Sequence, residues 1–239
     1  MKKLLITAFA ILGCSNGDNA LCMTCGGNPL NSSGGSCDIN SYRSKRIGNQ
    51  VWMLENMNCN VAGSKCYGEG GQVIDYSDIH SEAYTTKTLS NAEIQANCDK
   101  YGRLYNWETA KKVCSNGWHL PSDDEWRELI NYVEDDSDCR DCAGRLLKST
   151  SGWNDYEERS GNGTDDYDFA ALPGGKGGGK SGCGYFRAVG KYAWWWSRDG
   201  AWVDAEVGGS GWNTYYQEDG IFGDYDSKDC LWSVRCVQD

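Results

Sequence analysis

Thirteen cysteines in a chain of 239 residues constrain the fold more than any other feature. Cytosolic reductants keep thiols reduced, whereas exported domains hold disulfides, so such a count marks either an oxidising compartment or metal and redox work. The first residues decide between these. Lys2 and Lys3 form a positive segment, Leu4 to Leu12 is apolar, and Gly13-Cys14 ends the run. A membrane span needs ~20 apolar residues, so this shorter run is expected to direct export rather than to remain as a transmembrane anchor.

Ile11-Leu12-Gly13-Cys14 resembles the bacterial lipobox, in which the cysteine becomes the lipidated N-terminus after cleavage. Ordinary signal cleavage near Cys14 is the alternative. Parity favours lipidation: thirteen cysteines leave one over, and once Cys14 carries lipid the remaining twelve can all pair. The expected location is the bacterial cell envelope, lipid-anchored, in the outer membrane and exposed at the surface. Residues 1–14 are then a lipoprotein signal, 15–36 a Ser/Gly/Asn-rich flexible spacer around Cys22-Met-Thr-Cys25, and 37–239 the folded domain.

The chain has 34 acidic against 23 basic residues, a formal charge of −11. A surface of that sign repels polyanions, and no basic run offsets it, so nucleic acid is excluded as a partner. Eleven Trp, fourteen Tyr and 31 Gly describe a loop-rich fold of short strands.

Tyr42 to Ile47 and Gln50 to Met57 read as strands joined at Gly48-Asn49, a pair suited to a primed hairpin turn. Residues 67–97 read as irregular and polar. Asn106 to Cys114 reads as a short helix with Trp107, Ala110 and Cys114 on one face. Ser122 and Glu125 form a capping box, and Trp126, Leu129, Ile130 and Val133 then repeat at helical spacing, which predicts a helix over 122–134. Beyond it, short aromatic segments at 169–172, 192–197, 201–207, 215–217 and 231–237 alternate with Gly-rich loops. Two helices early and short strands late make an α+β plan.

Several segments carry a family resemblance. They are GNQVWMLENMN (48–58), CYG (66–68), CDKYGRLYNWETA (98–110), CSNGWHLPSDDEW (114–126), SGWND (151–155), FAALPGG (169–175), WWWS (194–197) and SVRCVQD (233–239). Their order resembles the Fibrobacter succinogenes major paralogous domain, a family of bacterial surface-protein domains, over residues 42–239. That family is similar to the C-type lectin-like fold, shared with formylglycine-generating enzymes and retroelement-diversified binding proteins. The resemblance implies two short helices on twisted, mostly antiparallel sheets, stapled by disulfides. It implies a bridge from Cys114 to Cys236, which would contribute about 4–5 kcal/mol in the chain-entropy picture, and one from Cys66 to Cys98. Cys183 and Cys230 lie outside the motifs and are paired with each other. Cys139 and Cys142 are spaced to close a small local loop.

Motifs for chemistry are outweighed by plainer readings. Gly174 to Ser181 matches a phosphate-loop pattern, but no helix is expected after it, so a flexible loop is preferred and no nucleotide is expected. The two CxxC units are too far apart for a zinc ribbon and read as disulfides. His80 and His119 have no nucleophile at motif spacing, and His119 is expected to pack beside Trp118. No catalytic residue and no metal ligand is assigned. Acidic clusters at 135–138, 165–168 and 224–226 raise calcium as the one cofactor to consider, and Trp153-Asn-Asp155 spells a lectin calcium tripeptide. Solvated loops are preferred for these, because the tripeptide sits too early in the chain. The resemblance implies that Trp194-Trp195-Trp196 lies in a central strand with at least one or two of the three in the core, and alternation then places Trp195 opposite its neighbours. Loop residues Trp202, Trp212 and Tyr215 are the candidates for ligand contact.

The expected function is non-catalytic: a lectin-like module on a lipid anchor that binds polysaccharide or a cell-surface protein, meeting the membrane through lipid only. An oxidase related to formylglycine-generating enzymes, which needs reactive cysteines, is the alternative, and a structural surface-layer role is a third.

Overall fold

A computed structural model of the chain describes residues 37–76, 84–178 and 184–239. The expected signal segment with Cys14, the spacer with Cys22 and Cys25, His80, Cys183 and residues 179–181 of the phosphate-loop pattern lie outside these residues.

A 3-10 turn at Ile39–Ser41 precedes β1 (Ser44–Ile47), β2 (Gln50–Met53), β3 (Ser64–Lys65), β4 (Gln72–Tyr76) and β5 (Tyr84–Lys87). Then come α1 (Asn91–Tyr101), β6 (Leu104–Tyr105), α2 (Trp107–Val113), β7 (Trp118–His119), α3 (Asp123–Asp136) and α4 (Ala143–Leu147). The C-terminal part holds β8 (Tyr185–Arg187), β9 (Tyr192–Gly200), β10 (Gly208–Tyr215), β11 (Phe222–Ser227) and β12 (Val237–Gln238).

The plan is mixed α+β, with mostly antiparallel sheets. One sheet runs β1-β2-β12-β7 and another β11-β10-β9. The small β3-β6 pair and a β5-β4-β8 sheet complete the set, with β8 parallel to β4. The first hairpin forms at the expected turn, with β1 and β2 shorter than the expected 42–47 and 50–57. Ile47 faces Gln50 across a two-residue turn, and Gly48 takes φ 60° while Asn49 keeps an ordinary φ, as a II′ turn demands.

Helix starts follow local chemistry. Ser122 and Glu125 close the expected capping box on α3, which buries Trp126, Leu129 and Val133. Asn106 caps α2, which buries Trp107 and Ala110. There are four α-helices among the described residues, not the expected two. Residues 67–97 are also not irregular throughout, since they contain β4, β5 and the start of α1. Ser90 and Glu93 cap α1 with a second capping box, but the helix buries only Cys98 and Tyr101, so it lacks the apolar stripe that marks α3. α4 has no cap from its own first residue; the Glu134 carboxylate accepts from the Cys142 and Ala143 amides at 3.2 and 3.4 Å. The aromatic segment 201–207 is not a strand but the loop joining β9 to β10.

Alternation along β9 divides the core. Trp195 faces α3 and joins Trp52, Trp126 and Phe169 in an aromatic cluster with ring centroids 4.8–6.2 Å apart. Trp194 and Trp196 face the other way, into a second cluster with Tyr105, Trp107 and Trp232. All three tryptophans are buried. Trp196 stacks on Trp232 at 4.2 Å. This requires Gly211, where a Cβ would lie 2.6 Å from the Trp232 ring.

Disulfides join Cys114 to Cys236, Cys66 to Cys98 and Cys139 to Cys142, with Cα separations of 5.9, 5.0 and 6.1 Å. A fourth, between Cys37 and Cys59, was not anticipated. Cys230 is also disulfide-bonded; its expected partner Cys183 is outside the described residues. Among the described residues no helix is long and apolar enough to cross a membrane.

Candidate functional site

The β9-β10-β11 sheet presents a graded row of aromatic rings. Register places Tyr192 opposite Tyr215, Trp194 opposite Asn213, and Asn213 opposite Phe222, so these side chains share one face. Tyr192 stacks on Trp194 with centroids 4.4 Å apart and on Tyr215 at 4.9 Å, and Tyr215 leans on Phe222 at 5.9 Å. Exposure rises along the row: Trp194 is buried, Tyr192 and Tyr215 are half-buried, and Phe222 is 39% exposed. Burial and the neighbouring Tyr215, Tyr216 and Asp224 push the Tyr192 phenol up to about 12, so it stays a hydrogen-bond donor at neutral pH.

A polar edge accompanies the rings. One Asp224 oxygen accepts from the Trp194 indole at 2.9 Å and from the Asn213 amide at 3.2 Å. Asp224 is half-buried, and a carboxylate holding these partners keeps lone-pair capacity for a further donor. Beside it, Lys176 pairs with Asp226 at 2.8 Å and lies over the Trp194 and Trp232 rings at 4.5 and 5.2 Å. Lys176, from the phosphate-loop pattern, is thus a buried partner of the sheet. Rings held by stacking, beside fixed amide and carboxylate groups, can grip a molecule that has an apolar face and hydroxyls at its edge.

The three sequence candidates separate. Tyr215 belongs to this row. Trp212 is not in a loop: it is a β10 residue, 9% exposed, facing α3, and its indole donates to Asp123 at 3.1 Å. Trp202 lies in the β9–β10 loop, 79% exposed, and meets Tyr225 edge-on at 5.4 Å. Tyr192, Phe222 and Asn213 were not singled out from sequence; the strand partners that unite them are far apart in the chain.

The other candidate groups are engaged internally. The His119 ring nitrogens each lie 2.6 Å from a carboxylate, Asp239 on one side and Glu125 on the other, so neither faces a nucleophile. Burial works to raise the Glu125 pKa, but hydrogen bonds from the Ser122 backbone, His119 and the Ser122 hydroxyl hold it below the ordinary range. Trp153 is buried, with its indole donating to Ala171, while Asn154 and Asp155 are exposed. Asp168 pairs with Lys45 and Asp136 accepts from Tyr167. Among the described residues no group of three or more His, Cys, Asp or Glu side chains is placed to hold one metal ion.

No curated protein and no solved structure shows a match to this chain. A family model does, over a span that contains the sheet just described. The Fibrobacter succinogenes major domain matches residues 46–238, and the chain belongs to that family.

Proposed function

We propose that this chain is an exported, lipid-anchored surface module of C-type lectin-like fold that binds glycan without catalysis. The row from Trp194 through Tyr192 and Tyr215 to the exposed Phe222, edged by Asp224, carries the reading. Sugar rings offer apolar C–H faces and equatorial hydroxyls, and such a row supplies the matching surfaces. The lectin-like reading draws support from the Cys114–Cys236 bridge and from β12, which lies between β2 and β7 and so ties the last strand to the first hairpin. The anchor rests on the lipobox resemblance at Cys14 and on cysteine parity. All nine described cysteines are bonded, which leaves none of them as a free thiol for oxidase chemistry. The fold by itself names no ligand, so the proposal stands on the surface.

The test is a glycan array probed with the full-length chain, with and without calcium. The expected result is retention of at least one polysaccharide class, weakened roughly three- to tenfold by Tyr215→Ala and by Phe222→Ala, the loss of one stacking contact each. Silence on every glycan in both conditions would transfer the surface to a protein partner.

A further inference from the structure

A second concavity lies away from the aromatic row. It is a cavity of about 260 Å³ walled by β4, by Lys87 of β5 and by the turn that follows β8. At ~30 Å³ per water it has room for roughly nine waters, the scale of a single sugar ring and not of a polymer. Val73, Ile74 and Val189 give it an apolar wall. Among the described residues its polar lining includes the Lys87 and Lys191 ammonium groups and the Asp75 carboxylate. The Lys191 side chain is only 11% exposed and reaches Asp75 at 3.9 Å.

One feature of the lining is unexplained by the fold. Tyr67 is buried; the Val189 backbone N–H approaches its phenol oxygen, but the hydroxyl proton finds no acceptor. Buried polar groups are ordinarily satisfied, and an orphan commonly marks a place for a water or a ligand. Burial keeps this phenol protonated far above its ordinary range, so it is a standing donor. Ala188, in the same wall, holds φ 65° and opens the turn in which its carbonyl accepts from the Lys191 and Tyr192 N–H groups. The Asn154 backbone N–H donates to the Gly190 carbonyl of this turn at 2.8 Å, which holds Asn154 at the cavity wall.

We infer that this cavity is a separate binding site for a small hydroxylated carboxylate of the sugar-acid class. Lys87 and Lys191 take the carboxylate, while Tyr67, Asn154 and Asp75 take hydroxyls. Val73, Ile74 and Val189 cover the apolar ring face. The inference does not depend on the aromatic row.

Calorimetric titration of the full-length chain with glucuronate, glucose and inorganic phosphate tests it. Saturable glucuronate binding is expected, with glucose and phosphate each at least about tenfold weaker. Lys87→Met, at an exposed position, and Tyr67→Phe, which removes only the hydroxyl, should each weaken glucuronate at least about fivefold. Tyr215→Ala should leave glucuronate binding unchanged while weakening polysaccharide retention, which separates this site from the row. Three results would each overturn the assignment: no saturable glucuronate binding, phosphate bound as well as glucuronate, or affinity unmoved in both cavity variants.

Discussion

Arg235 lies fully buried beneath the aromatic cluster, with its guanidinium 4.2 Å from the Phe169 ring. It donates to the Phe169 and Ala170 carbonyls and, at 2.9 Å, to Asn56. Burial pulls its pKa down to about 9, which still leaves the charge in place at neutral pH. The side chain therefore joins three of the segments that carry the family resemblance, GNQVWMLENMN, FAALPGG and SVRCVQD. Arg235→Lys keeps the charge but loses the planar fork, leaving buried acceptors unsatisfied. A loss of about 2–4 kcal/mol in urea unfolding is expected; an unchanged midpoint would contradict this role. Lys148 is a second buried cation, donating to the Tyr215 and Glu218 carbonyls at 3.0 and 2.6 Å. Burial, opposed by Asp219 and Glu218, lowers it from 10.5 to about 8. Between those values the unfolded chain binds more protons, so stability rises with pH through that window. Arg235 adds a gain of the same sign above pH 9, but the buried phenols of Tyr67, Tyr105 and Tyr192 are shifted above 10, so the unfolded chain ionises first there and the three together turn stability downward above pH 10. Unfolding midpoints should thus climb from pH 8 to just below 10, by at most about 3 kcal/mol from Lys148, and then decline. In Lys148→Met the climb shrinks and the decline stays.

At the scale of elements, the two capping boxes act alike but differ in what they hold. Ser122→Ala should cost about 1 kcal/mol and lower Tm by a few degrees, because α3 buries Trp126 in the main cluster. Ser90→Ala should cost less, since α1 contributes little to any core. The same contrast explains what was legible from sequence. α2, α3, the first hairpin and the facing of Trp195 follow from periodicity and turn chemistry, which are local. α1 carries a legible cap, Ser90-x-x-Glu93, but no apolar repeat, and its few contacts come from the tertiary arrangement. Trp212 reads as a loop residue because glycines surround it, yet Gly208, Gly209 and Gly211 belong to β10. There Gly209 and Gly211 admit the rings of Trp107 and Trp232 across the sheet. The aromatic row was hidden for a related reason: only the register of three strands brings Tyr192, Tyr215 and Phe222 together.

For the whole molecule, sequence separation ranks the cross-links. Cys114–Cys236 closes a separation of 122 residues and Cys139–Cys142 one of 3. In the chain-entropy picture these contribute about 5 and about 2 kcal/mol. Paired Cys→Ala replacements should therefore lower the guanidinium midpoint far more for the first pair than for the second. That long bridge links the end of α2 to the C-terminal segment, inside the cluster that supports Trp194 and Trp196 behind the aromatic row. Peptide mapping by mass spectrometry of the unreduced protein tests this cross-linked picture most directly. The account predicts a linked peptide joining Cys114 to Cys236. A free thiol at Cys114, or a bond from it to any other cysteine, would contradict it.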